Sequence, residues 1–122
     1  MSVEEGNPSS SIYINRGASF YELKQYDKAL ADFKQAITVA SDNARGYLWC
    51  GNVYYASRSY REALEYFSKA IAIDPNNAVY HLNRGYANSK IGNRLMALSD
   101  FKKACELGNR DGCNQVEREQ KK

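Results

Sequence analysis

Apolar positions along this chain recur three and four residues apart, with polar residues between them, and short polar breaks interrupt the pattern at regular distances. That spacing predicts amphipathic helices over roughly residues 10–23, 26–40, 44–57, 60–73, 78–91 and 94–107, with a last one at about 110–120. The segment YLWCGNVYYA, residues 47–56, departs from the rule because it is apolar on two sides. On a helical wheel Tyr47, Cys50, Gly51 and Tyr54 share one face. Leu48, Trp49, Asn52 and Tyr55, with Arg45, lie nearly opposite. One core needs one apolar face. The second face calls for another partner.

The columns around this segment repeat. Gly17, Gly51 and Gly85 stand 34 residues apart, and Ala29, Ala63 and Ala97 follow them at a constant offset. So do Phe33, Phe67 and Phe101, and then Ala36, Ala70 and Ala104. Tyr13, Tyr47 and His81 precede the glycines, and Asn15-Arg16-Gly17 recurs as Asn83-Arg84-Gly85. This pattern resembles the tetratricopeptide repeat, whose period and small-aromatic-small columns it shares. The middle copy, Ala44 to Asn77, follows the family consensus down to Asp74-Pro75-Asn76-Asn77. The first, residues 10–43, lacks the closing proline; the third, residues 78–111, has Asn88 in place of an aromatic and ends in Gly108-Asn109.

The resemblance implies an all-α solenoid of three helix-turn-helix repeats. Residues 10–122 would form one domain after a leader at 1–9, with a C-terminal capping helix carrying Cys113 and Val116 as its narrow apolar stripe. Glycine and alanine belong where paired helices cross, because larger side chains would hold the backbones apart. Replacing Gly51 or Ala63 by Leu should therefore overpack the crossing by about 1–3 kcal/mol. Neighbouring pairs share the aromatic columns, so no pair is stable by itself.

Composition sharpens the picture in one respect. Ten Tyr stand beside four Phe and one Trp, which fits helices with many half-wet aromatic positions. The net charge of +3 is spread through interleaved Lys, Arg, Asp and Glu, so no nucleic-acid partner is expected. Lys34, Lys69 and Lys103 read as a solvated outer face, with Tyr26 and Tyr60 nearby as packing residues. The acidic, polar opening MSVEEGNPSSS lacks the apolar run of a signal peptide, and no stretch reaches membrane-spanning length. With Met1 as the start, the expectation is a cytoplasmic protein with no membrane partner.

Catalytic chemistry finds little support. His81, the one histidine, sits in the aromatic column and reads as a packing residue with one nitrogen in water. No second histidine completes a zinc-type set, no CxxC spacing occurs, and no Gly-rich phosphate loop is present. The reading is a non-enzyme with no metal and no cofactor. Cys50 reads as a small buried hydrophobe. Cys105 and Cys113, in CELGNRDGC, have a spacing similar to that of disulfide-rich cousins of these repeats secreted by some bacteria. Two readings stay open. Lacking an export signal, two reduced thiols packed together are preferred over a disulfide.

In the family, the second face of the first helices lines a concave groove where partners bind. Here that face carries Ile14, Asn15, Ala18 and Tyr21 from the first repeat, Arg45, Leu48, Trp49, Asn52 and Tyr55 from the second, and Leu82, Asn83, Tyr86 and Lys90 from the third. Aromatic rings beside amides suit a peptide. Trp49 is the preferred single contact. One subclass clamps the acidic tails of heat-shock chaperones with lysine and arginine columns. This chain departs from it, with Ile14, Leu48, Leu82, Cys113 and Glu117 at the matching places. The leading expectation is an interaction scaffold binding a peptide or helix of a protein partner in the groove. The alternative is a self-associating module whose apolar face or array end forms a homo-oligomer interface.

Overall fold

A computed structural model describes residues 9–121. The expected leader therefore lies, apart from Ser9, outside the described residues, as does Lys122. Among the described residues seven helices follow one another: α1 (Ser10–Glu22), α2 (Tyr26–Val39), α3 (Ala44–Ala56), α4 (Tyr60–Ile73), α5 (Ala78–Lys90), α6 (Arg94–Glu106) and α7 (Arg110–Gln120). No strand occurs among the described residues. Each helix packs on the next in chain order, while α1 also touches α3 and α3 touches α5. The result is an all-α solenoid whose odd-numbered helices line one side.

Local chemistry sets the helix ends. Asn43, Asn77 and Asn109 precede α3, α5 and α7, and their side-chain oxygens accept from the N–H groups of Arg45, Val79 and Gly112. These caps satisfy donors that a helix start leaves free. The turn inside each pair needs one left-handed residue: Lys24 (φ 61°), Arg58 (φ 66°) and Gly92 (φ 87°). Only the third pair meets this without the cost of about 1–2 kcal/mol that a Cβ brings.

The crossings explain the glycine column. A Cβ at Gly17 or Gly85 would stand 2.6 Å from the ring of Phe33 or Phe101, and at Gly51 it would overlap the ring of Phe67. These phenylalanines are at most 1 % exposed, and the alanines of both small columns at most 2 %. Each buried ring contributes about 1.5–3 kcal/mol of transfer free energy.

A second column was not anticipated. Arg16 donates to both carboxylate oxygens of Asp32, at 2.9 and 2.7 Å, and Arg84 grips Asp100 in the same way. The middle repeat has Cys50 and Tyr66 at the corresponding positions, and both join the apolar cluster around Phe33. The third repeat goes the opposite way. Asn88, where the others carry Phe20 and Tyr54, is buried and donates to Asp100 Oδ2 at 3.0 Å, so the missing aromatic serves a polar network.

Two sequence readings require correction. His81 has no nitrogen in water: it is 6 % exposed and its Nε2 donates to the carbonyl of Pro75 at 2.8 Å. Its Nδ1 is buried without a hydrogen bond among the described residues. The imidazole is shorter than the tyrosines of its column and cannot reach the surface. Cys105 and Cys113 are joined as a disulfide, with Cα atoms 4.6 Å apart, instead of packing as two thiols. Gly112 makes this approach possible. A Cβ there would lie 2.8 Å from Ala104 Cβ and 2.9 Å from the α6 backbone.

The remaining cysteine, Cys50, is 0 % exposed, and burial pushes its thiol up to about 12 despite Lys34 and Lys69 nearby. The native thiol keeps a proton that the unfolded chain releases near 9.0, so this stabilisation is full below that pH and is lost as pH rises towards about 12. Thiol titration checks both cysteine assignments. Near neutral pH, without reductant, no thiol of the native protein should react quickly, and unfolding should release one, that of Cys50. Release of all three would show that the bond between α6 and α7 is absent. Reduction should lower stability by about 2–3 kcal/mol, as expected for so short a loop.

Candidate peptide groove

Helix α3 occupies the centre of the concave side. Arg45, Leu48, Asn52 and Tyr55 follow one another at helical spacing along its length. Tyr21 approaches from α1, Asn83 and Tyr86 from α5, and Phe67 of α4 forms part of the lining beneath. Tyr21, Asn52, Tyr55, Phe67, Asn83 and Tyr86 enclose a pocket of about 80 Å³. No charged side chain among the described residues lines it. Asn83 Nδ2 donates to Asn52 Oδ1 at 3.1 Å, tying α5 to α3 across the pocket.

The rings are braced from outside. Tyr55 stands edge-on to Tyr60 with centroids 5.2 Å apart, and Tyr86 stands edge-on to Phe101 at 5.4 Å. Burial, followed by the charges of neighbouring groups, raises the phenols of Tyr21 and Tyr55 above the ordinary tyrosine range. Both are therefore neutral at any physiological pH. The pocket offers apolar ring faces, hydroxyls and two amides, a set suited to uncharged polar recognition.

Other residues assigned to the groove do not line this pocket. Ile14 is 1 % exposed and Leu82 7 % exposed, so neither faces an open trough. Ile14 shares an apolar cluster with Val53 and Cys50 of α3, and Leu82 belongs to a cluster against which Val116 of α7 packs. Their column meets the following helices. Leu48 and Arg45 border a separate, wider hollow between the α2–α3 and α4–α5 turns, with Asp42, Asp74 and Tyr80. Asn15 and Lys90 are exposed and line neither cavity.

Trp49, half-buried, does not line the pocket either. Its indole stacks on Phe33 at 5.2 Å and meets Tyr21 edge-on at 5.5 Å, so it supports the pocket wall from behind. Phe67, conversely, belongs to the buried phenylalanine column and also lines the pocket. Nothing in the sequence separates it from Phe33 and Phe101; its second role arises because α3 has neighbours on both sides.

Among the described residues no group of three or more His, Cys, Asp or Glu is placed to hold a metal. Nor is any described helix long and apolar enough to cross a membrane.

A family model described as TPR repeat matches residues 17–57 and again 51–92. The chain belongs to the tetratricopeptide repeat family. Solved structures agree on the fold. The first TPR of Spaghetti (RPAP3), bound to the HSP90 peptide SRMEEVD, superposes with a TM-score of 0.86 at 16 % identity, covering 90 % of this chain and 89 % of that one. The Arabidopsis OM64 TPR domain gives 0.83 at 26 % identity, over 89 % and 92 % of the two chains. The second TPR of human RPAP3, in complex with the HSP70 peptide SGPTIEEVD, gives 0.83 at 22 %, over 93 % and 100 %. No curated protein sequence matches.

Proposed function

We propose that residues 10–122 form one repeat domain acting as a non-enzymatic scaffold, which holds a peptide or helix of a partner protein against α1, α3 and α5. The observation that carries this reading is the uncharged pocket built by Tyr21, Asn52, Tyr55, Phe67, Asn83 and Tyr86 on the concave side. Structural neighbours of this fold hold chaperone peptides, SRMEEVD in one case and SGPTIEEVD in another. Such acidic tails do not suit this chain. Ile14 and Leu82 are buried where a carboxylate clamp would place cations, and no Lys or Arg among the described residues lines the pocket. A carboxylate entering it would lose its hydration with no countercharge.

Affinity capture with wild type and with Tyr55→Ala plus Tyr86→Ala tests the groove, with circular dichroism to confirm the helices. Loss of the captured partners in the variant is expected, and the peptide SRMEEVD should show no saturable binding. Capture of the same partners by both proteins, or tight binding of that peptide, would overturn the reading.

Self-association is the second reading, and it has its own support. Leu95 is 85 % and Met96 53 % exposed on α6, away from the pocket. Size-exclusion chromatography over a wide concentration range distinguishes the two. A monomer throughout leaves the concave groove as the interaction face, whereas a dimer that Leu95→Lys plus Met96→Lys dissociates would establish α6 as a homo-oligomer interface.

A further inference from the structure

The amide pair in the pocket restricts what can enter it, and this inference rests on the groove reading above. A primary carboxamide carries two N–H donors and one oxygen with two acceptor sites. Asn83 spends a donor on Asn52 Oδ1, across 3.1 Å between α5 and α3. What remains is the NH2 of Asn52 and the C=O of Asn83, together with the second N–H of Asn83 and the second acceptor site of Asn52. Turning both amides over exchanges the two residues' roles and leaves an equivalent remainder, with both donors and acceptors still free. Both asparagines are half-buried, and no other hydrogen bond to either side chain occurs among the described residues.

We propose that this pocket takes the side-chain carboxamide of a glutamine or asparagine in the partner peptide. Its C=O accepts from one asparagine while its NH2 donates to the other. The rings of Tyr21, Tyr55, Phe67 and Tyr86 cover its short apolar stem, and a cavity of about 80 Å³ admits one side chain of this size.

A carboxylate, an ammonium and an aliphatic side chain each leave something unpaired. A carboxylate has acceptors only, so it meets the free asparagine carbonyl with like partial charge and finds no cation in the lining. An ammonium has donors only and gives up its water to neutral groups. An aliphatic side chain leaves both the NH2 and the C=O buried without partners, which a polar site resists more strongly than it resists a change of size.

The probes are propionamide, propionate and propylammonium, which share a stem and differ in the polar tip. In ¹H–¹⁵N spectra of the full chain, propionamide should shift the side-chain NH2 signals of Asn52 and Asn83 saturably. Propionate and propylammonium should do so about tenfold more weakly or not at all. Asn83→Asp puts a carboxylate in the pocket and should reverse the order in favour of propylammonium. Asn83→Leu should abolish the preference, and a helical circular dichroism spectrum confirms that each variant folds.

Equal response to propionate and propionamide, signals unmoved by propionamide, or an Asn83→Asp variant with unchanged preference would each overturn the proposal. Failure here is separable from failure of the groove reading. A protein that captures a partner through Tyr55 and Tyr86 yet ignores propionamide loses only the carboxamide assignment. One whose capture survives loss of both tyrosines loses the groove itself, whatever the fragments do.

Discussion

Most of this molecule hangs on the contact between a glycine and a phenylalanine ring. In each helix pair the first helix carries a glycine where the second presents its ring, and there is no room between them for a methyl group. The middle contact has the widest consequences. Phe67 lies against Gly51 on one side and lines the concave pocket on the other. The distance between α3 and α4 therefore also sets the depth of the pocket. Asn52, the residue after Gly51, inherits its position from the same contact, and through Asn83 so does α5.

Around that shared crossing the three repeats differ in how they treat the next position. The outer two bury a carboxylate and bring an arginine to it; the middle one is apolar, with Cys50 and Tyr66. A buried ion pair adds little net stability compared with packed apolar groups, but losing one partner strands the other. This matters most for Asp100, 3 % exposed and held by both Arg84 and Asn88. The middle repeat escapes that liability and is the one that carries most of the groove. At the far end, the bare backbone of Gly112 lets α7 settle on α6, and the Cys105–Cys113 bond holds it there.

The repeat architecture was legible because it is written in volume. Glycine, alanine and phenylalanine recur at fixed offsets, and each can serve only one geometry at a crossing. The concave side was legible in part. Asn52, Tyr55, Asn83, Tyr86 and Tyr21 do meet in one pocket. Ile14, Leu82 and Trp49 do not line that pocket, for a common reason: a helical wheel divides a helix into a packed face and an open one. In the array, α3 has α2 and α4 as neighbours in chain order and touches α1 and α5 as well. Trp49 falls on the side turned towards α1 and α2, against Tyr21 and Phe33. The Arg–Asp column and Gly112 were present in the sequence as well, the former even as a repeated Asn-Arg-Gly, but pairing them needed the crossing geometry.

The pocket is then a by-product of stacking. Rings too large to be wholly hidden between repeats emerge on the concave side, and two asparagines there satisfy each other only in part. The most direct test of this dependence is amide hydrogen exchange on Gly51→Ala beside wild type. The added methyl group should push Phe67 away, so that protection falls in α3 and α4 and also in α5, where Asn83 is tied, while α7 keeps most of its own. Unchanged protection throughout, with Asn52 and Asn83 still paired, would contradict the claim that the groove rests on the Gly51–Phe67 contact.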